Sequence, residues 1–138
     1  MKNDLNLSTG LVATGFPLAL RGYDFTTYAA DAQPHPGKAD FSVVEDGATY
    51  YFSSRANADA FKADPQRYLP SFGGFCAYGV SAGKKFDVDP IIFKIVDKRL
   101  HLNLNGEIHQ AFLAATADAI AKADGMWPSI RAKAASEL

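Results

Sequence analysis

Cys76 is the only cysteine of this 138-residue sequence and its clearest candidate for chemistry. It lies in the stretch FGGFCAYG at residues 72–79, with two glycines before it and aromatic residues on both sides. A cysteine acts as a metal ligand or a nucleophile when a cation, a helix N-terminus or a metal lowers the pKa of its thiol. No charged residue lies within seven positions of Cys76. A buried structural thiol is therefore the first interpretation, and a metal ligand and a redox centre are the alternatives.

Tyrosine and aspartate residues elsewhere could complete a polar site around Cys76. Asp24 lies among tyrosines, and Asp89 precedes Pro90. Carboxylate oxygens and a thiol together would form a mixed oxygen and sulfur site. The predicted ligand-binding residues are Cys76, Tyr78, Tyr23, Asp24, Tyr28 and Asp89. The simpler alternative is that Asp24 caps a turn or a helix, and that Asp89 and Pro90 form a turn.

The three histidines, His35, His101 and His109, are far apart in the sequence. His35 lies in a proline-rich loop and His101 on the polar side of an alternating strand, so both are predicted to face solvent. His109 lies on an amphipathic helix, and the sequence leaves its orientation open. A zinc or copper site usually has closely spaced ligands such as C-x-x-C or H-x-x-x-H, and no such pair is present. The candidate ligands for a transition metal such as copper or zinc are thus Cys76, Asp24 and His101.

Composition and charge exclude two classes of function. The formal net charge is -1, from 14 basic and 15 acidic residues without a basic stripe, so nucleic acid is not an expected partner. No run approaches the ~20 apolar residues that span a bilayer, so no membrane span is expected. The apolar stretch at residues 11–20 is interrupted by Gly15 and Pro17, which is unlike an export signal. We expect a cytoplasmic location for the chain as given, and a periplasmic one if a signal peptide was removed.

The elements around these candidates include two predicted hairpins. After a proline- and glycine-rich loop at residues 30–38, residues 41–44 and 48–53 flank a Glu-Asp-Gly turn, which is typical of a hairpin. The second hairpin is predicted from strands at residues 91–96 and 99–104 with an Asp-Lys turn between them.

Helices are predicted between and after the hairpins. A serine can cap a helix at residues 55–63, which Pro65 ends. Apolar residues recur at helical spacing over residues 108–119, with Gly125 as the end of that helix and Pro128 in the first turn of a short closing helix. Two hairpins and about three helices predict an α+β domain with a small antiparallel sheet.

With these motifs in place, the sequence resembles the YHS domain family, and within it the short stand-alone bacterial members. The matching stretches cover most of the chain; they are GYDFTTY (22–28), TYYFSSRANADAFKADPQRYLPSFGGFCAYGV (49–80), VDP (88–90), IVDKRLHLN (95–103) and KADGMWP (122–128). The resemblance implies a core like that of TRASH and YHS domains, over about residues 22–128. It implies one domain over residues 1–138, with an N-terminal extension and a C-terminal helix.

The resemblance also implies a link to metal handling, because many YHS domains occur beside heavy-metal transporters. Metal-associated members carry a cysteine near the first strand and a cysteine pair at the start of the following helix. This chain has Asp24 and Phe25 at the first place, and Ser53, Ser54 and Phe61 at the second. The thiol ligands of those relatives are therefore absent from this sequence.

The leading hypothesis is a small, soluble, non-catalytic YHS-type domain that binds a transition metal or another small ligand near Cys76. Such a domain would be an accessory to metal homeostasis, with a metal-transport protein or a second copy of the chain as its partner. The alternatives are a thiol redox protein that uses Cys76 and an inert structural or partner-binding module. No nucleophile elbow, phosphate-binding loop or HExxH pair is present, so no catalytic residue is predicted.

Overall fold

The fold is given by a computed structural model, which describes residues 3–30 and 33–138. Its elements are α1 (Thr26–Ala30), β1 (Lys38–Glu45), β2 (Ala48–Phe52), α2 (Arg55–Ala63), α3 (Pro65–Tyr68), α4 (Ala77–Ser81), β3 (Phe93–Val96), β4 (Arg99–Leu102), α5 (Gly106–Ala114) and α6 (Thr116–Ile130). In the described ranges the strands form two separate antiparallel pairs, β1 with β2 and β3 with β4. The predicted α+β class is confirmed, although the two hairpins form two small sheets and not one. Of the predicted loop at residues 30–38, positions 31–32 lie outside the described residues.

The chain divides into two compact units. The N-terminal unit is Leu7–Leu69, and the C-terminal unit combines Met1–Asn6 with Pro70–Leu138. A single domain over residues 1–138 stays a prediction. Within the described ranges, no helix is both long enough and apolar enough to cross a membrane.

The first hairpin, in the N-terminal unit, turns at the predicted residues. Glu45 pairs with Ala48, and between them Asp46 and Gly47 have φ angles of +49° and +80°. Positive φ at both turn positions is the type I′ geometry that Asp-Gly favours. β2 is buried along most of its length, so the hairpin forms one side of the core of this unit.

Helix α2 follows with the predicted cap. The Ser54 hydroxyl oxygen accepts a hydrogen bond from the Asn57 N–H at 3.1 Å. On the buried face, the ring of Phe61 lies 4.8 Å from that of Tyr50 and 5.0 Å from that of Phe52, measured between centroids. Aromatic rings at these separations supply much of the apolar area that stabilises so small a unit.

The second hairpin, in the C-terminal unit, is shorter than predicted. Val96 pairs with Arg99, and the turn residues Asp97 and Lys98 have φ angles of +50° and +65°. The hairpin turn therefore lies where the sequence predicts it. The core beside this hairpin combines the aromatic residues before α4 with the apolar faces of α4, α5 and α6; its members are Phe72, Phe75, Ala77, Val80, Phe112, Ala119, Ala123 and Ile130.

The helix predicted over residues 108–119 is interrupted at Ala115. Ala115 has a φ of -147° and a ψ of 50°, which is outside the helical region. The Thr116 hydroxyl donates a hydrogen bond to the Phe112 carbonyl at 3.1 Å, which satisfies one of the last carbonyls of α5. The sequence pattern gave no sign of this break, because the apolar spacing continues across it.

The predicted helix end at Gly125 is wrong, because α6 runs through both Gly125 and Pro128. Ala119, Ala123 and Ile130 are buried along one face of α6, which packs against α4. That continuous packing outweighs the low helix propensity of glycine and the backbone hydrogen bond that a proline removes.

Candidate functional site

The residues predicted to form a site fall in both units. The N-terminal unit holds Tyr23, Asp24 and Tyr28, and the C-terminal unit holds Cys76, Tyr78, Asp89 and His101. One site that joins the two groups stays a prediction.

Cys76 stands immediately before α4 and caps it. Its Sγ accepts a hydrogen bond from the Gly79 N–H at 3.4 Å, which satisfies one of the free amides at the start of the helix. In the other direction the thiol donates to Oδ1 of Asn103 at 3.5 Å. The side chain is 0% exposed. Both hydrogen bonds and the burial are those of a structural thiol.

Two glycines beside Cys76 allow close approach of neighbouring chain segments. Gly73 has a φ of +63°, and a Cβ there would lie 2.0 Å from the Asp4 carbonyl oxygen. A Cβ at Gly79 would lie 2.7 Å from Cδ2 of Phe86. Gly73 and Gly79 are therefore explained by packing, without any need for a ligand.

The protonation state of Cys76 follows from its surroundings. Burial raises the pKa of the thiol above its ordinary value of 9.0, and the N–H groups of Gly79, Leu104 and Tyr78 oppose this only in part. The thiol is therefore protonated at neutral pH, whereas metal binding and nucleophilic attack require the thiolate. Since the pKa is raised on folding, this thiol favours the folded state below its ordinary pKa and loses that contribution as the pH rises further.

Asn103, at the end of β4, holds Cys76 in place and was not a candidate from the sequence. Its Oδ1 accepts hydrogen bonds from the Cys76 thiol and from the backbone N–H of Tyr78, the latter at 3.1 Å. A backbone N–H can only donate, so the oxygen of the amide must face Tyr78. The amide nitrogen of Asn103 then faces His109, with Nδ2 2.9 Å from Nδ1.

His109 has its tautomer fixed by this contact. Because Asn103 Nδ2 can only donate, Nδ1 of His109 accepts and the ring carries its proton on Nε2. Burial, and secondarily the charge of Lys94, lowers the pKa of His109. We call Cys76, Tyr78, Asn103 and His109 the Asn103 cluster.

His101 is buried, so the prediction that it faces solvent is wrong. Its side chain is 0% exposed and lies between the rings of Phe72 and Phe112, at centroid distances of 5.9 and 6.0 Å. Neither ring nitrogen has a hydrogen-bond partner among the described residues. Alternation along β4 does not separate inside from outside, because Leu100, His101 and Leu102 are buried in succession. Burial, and then the charge of Arg99, lowers the pKa of His101 to about 4.

Tyr78 and Asp89 have structural contacts of their own. Tyr78 is half-buried on α4 and takes part in the Asn103 cluster through its backbone N–H. The Asp89 carboxylate accepts a hydrogen bond from the Ile91 N–H at 3.1 Å, which forms the turn at Asp89 and Pro90 that the simpler interpretation predicts.

Asp24, in the N-terminal unit, is 0% exposed and accepts five hydrogen bonds. Oδ1 accepts from the N–H and hydroxyl of Thr26, and Oδ2 accepts from the N–H and hydroxyl of Ser53 and from the side-chain amide of Asn57, at 2.7 to 2.9 Å. We call these four residues the Asp24 cluster. The carboxylate links the start of α1, the end of β2 and the first turn of α2, as the capping interpretation predicts.

The electrostatics of Asp24 match this saturated geometry. Burial alone would raise the pKa of the carboxyl, but the hydrogen bonds from Thr26, Ser53 and Asn57 together lower it below its ordinary value of 3.8. Of the neighbouring candidates, Tyr28 is 2% exposed and Tyr23 is half-buried. The oxygens of Asp24 therefore have little capacity left for a metal ion, since a carboxylate offers about four lone-pair directions.

The described residues do not fit a resident metal. Nowhere among them do three or more histidine, cysteine, aspartate or glutamate side chains come together in a way that could hold an ion. Cys76 is a neutral, buried thiol, and His101 is surrounded by aromatic rings. Zinc and copper sites in proteins use deprotonated thiols and several convergent ligands.

A comparison with protein families matches residues 30–71 to the model of the YHS domain. Residues 30–71 are thus similar to a YHS domain. The resemblance seen in the sequence is thereby confirmed over these residues, which include both strands of the first hairpin, α2 and α3. Cys76, Asn103 and His109 lie beyond them. YHS domains are often linked to metal handling. The comparisons with curated proteins and with solved structures found no significant match.

The Asp24 cluster predicts a large effect of an isosteric change. Asp24→Asn replaces an accepting oxygen by an NH2 group that faces other donors, so we expect a loss of more than about 2 kcal/mol in the free energy of unfolding at pH 7. Urea unfolding followed by circular dichroism measures this. Asp59→Asn, an exposed change on α2, is the control and should stay within about 0.5 kcal/mol of the wild type. Equal stabilities of the two variants would contradict the role assigned to Asp24.

The burial of His101 predicts a dependence of stability on pH. The imidazole binds a proton below pH 6.5 when unfolded and only below about 4 when folded, so stability is lost as the pH falls through this window. The full shift corresponds to ~3 kcal/mol. We expect His101→Phe to show a smaller loss between pH 7 and 4 than the wild type in urea unfolding, whereas His35→Phe, at an exposed loop position, should not. An unchanged loss in His101→Phe would contradict the burial of His101.

Proposed function

We propose that this protein is a non-catalytic YHS-type module that works by binding a partner protein, with Cys76 as a structural thiol and not as a metal ligand or redox centre. The observation that carries this proposal is the position of Sγ. It is fully buried, it caps α4 through Gly79, and it donates to Asn103. Of the three interpretations that the sequence left open, this geometry favours the partner-binding module.

Accessory metal binding at Cys76 would require several changes at once. The thiol would have to lose its proton in surroundings that raise its pKa, and its hydrogen bonds to Gly79 and Asn103 would have to break. His109 could not assist with Nδ1, because that nitrogen is occupied by the Asn103 amide. Each step costs free energy that an ion would have to supply on binding.

Redox chemistry at Cys76 is disfavoured for related reasons. Oxidation begins from an accessible thiolate, and this thiol is neutral and buried. It is also the only cysteine of the chain, so an intramolecular disulfide is excluded.

The surface of the C-terminal unit supports a binding role. Large apolar side chains are exposed there, among them Ile91 at 55% and Phe86 at 46%. Ile95 on β3 and Leu113 on α5 are further examples. Each of these side chains offers apolar area that a partner protein could cover. A metal-transport protein and a second copy of this chain are both partners of the proposed kind.

The proposed structural role of Cys76 is tested on protein purified without a metal-affinity tag. We expect elemental analysis to find less than stoichiometric copper and zinc, and a thiol reagent to label Cys76 only after denaturant is added, then once per chain. Asn103→Ala is the matched variant: it removes the acceptor of the thiol and should make labelling of the native protein faster. Stoichiometric metal that is lost in Cys76→Ser, or labelling of the native protein at the rate of free cysteine, would contradict the proposal.

The proposed binding of a partner protein is tested by photocrosslinking. A variant with a photoreactive amino acid at position 91 is produced in cells that make the protein naturally. We expect one discrete covalent adduct, to a second copy or to another protein, identified by mass spectrometry. The control is the same amino acid at Gln110, an exposed polar position on α5, which should give no adduct. The absence of an adduct at position 91, or the same adducts at both positions, would argue against this surface.

A further inference from the structure

Lys85 is a buried cation in the C-terminal unit that neither the family match nor the proposed function involves. Its side chain is 5% exposed, which is rare for lysine unless its charge is compensated. Nζ donates hydrogen bonds to three backbone carbonyls, those of Asn3 at 2.6 Å, Arg131 at 2.8 Å and Lys133 at 2.5 Å. An ammonium group has three N–H donors, and all three are therefore used.

The other side of the ammonium group faces aromatic rings. Nζ lies 5.1 Å from the ring centroid of Phe75 and 5.2 Å from that of Trp127. These are cation–π distances. Lys85 thus lies between an aromatic pair and three carbonyls, and the carbonyls belong to two chain segments that are far apart in sequence.

Further contacts join the same two segments. The Asn3 side-chain amide donates to the Ala132 carbonyl at 3.1 Å, and the Arg131 guanidinium lies 3.6 Å from the Asp4 carboxylate. Beyond these contacts, Asn6 donates from its backbone to the Gly73 carbonyl at 2.8 Å. The N-terminal segment is therefore bound at one end by Lys85, through the Asn3 carbonyl, and at the other end by the Gly73 carbonyl, through Asn6.

We propose that Lys85 couples two terminal segments, residues 3–5 and 131–138, because both are bound to its one ammonium group. The two segments are released together, which exposes the aromatic pair of Phe75 and Trp127. We call this arrangement the terminal latch. The coupling follows from the three donors. When one segment leaves, water reaches Nζ and competes with the carbonyl or carbonyls of the other segment, so the hold of Lys85 on that segment weakens. The latch is a conformational device of the C-terminal unit and does not depend on the proposed function.

The latch is tested by NMR on the full-length chain with Lys85→Met, which keeps the length and volume of the side chain but removes its donors. We expect the heteronuclear NOE of both segments to fall to values of mobile termini, while the amides of β3 and β4 keep theirs. Acrylamide quenching of Trp127, the only tryptophan, should increase at the same time. Lys84→Met, at the exposed neighbouring position, is the control and should change neither reading.

A second variant separates the charge from the packing. Lys85→Ala leaves room for a small cation, so n-propylammonium should restore the order of both segments, whereas n-propanol, of the same length and without charge, should not. Release of only one segment, unchanged order in Lys85→Met, equal rescue by the alcohol, or unfolding of the whole C-terminal unit would each overturn the proposal, because a latch opens without melting the unit that carries it.

Discussion

The orientation of one side-chain amide, that of Asn103, determines the arrangement of the C-terminal unit around Cys76. The backbone N–H of Tyr78 can only donate, so Oδ1 of Asn103 must face it, and the same oxygen accepts a hydrogen bond from the Cys76 thiol. The amide nitrogen is then left for His109. The end of β4, the start of α4 and the first half of α5 are thereby joined through one residue, and the cysteine is held where it caps a helix.

The N-terminal unit uses a buried polar residue in a similar way. Asp24 satisfies donors from three elements, two of which lie inside the YHS match. The polar candidates Asp24, Cys76 and Asp89 already have hydrogen-bond partners within their own units, whereas the ring nitrogens of His101 have none among the described residues. Other YHS domains can share this arrangement of strands and helices without sharing its chemistry, since function depends on the site and not on the fold.

The hairpin turns and the cap of α2 depend on residues that are close together in the chain, and the sequence predicted them correctly. The Asp-Gly turn and the cap of α2 by Ser54 lie where the sequence places them, because positive φ angles and free amides select those residue types. The Asp-Lys turn also lies where it is predicted, between two strands of alternating residues. Predictions that depended on tertiary packing were less accurate. His101 alternates as a solvent-facing residue but is covered by Phe72 and Phe112, and α6 continues past Gly125 because its apolar face is buried throughout. The role of Asn103 could not be read from the sequence, since its partners come from α4 and α5.

The central claim, that Cys76 is a protonated structural thiol, is tested most directly by Raman spectroscopy of the S–H stretch. With one cysteine in the chain, the spectrum contains a single S–H band. The account predicts that this band is present at neutral pH, that equimolar copper(I) or zinc(II) leaves it unchanged, and that it disappears only at a pH above the ordinary thiol pKa of 9.0. A band that is missing at neutral pH, or that vanishes when one equivalent of metal is added, would contradict the account.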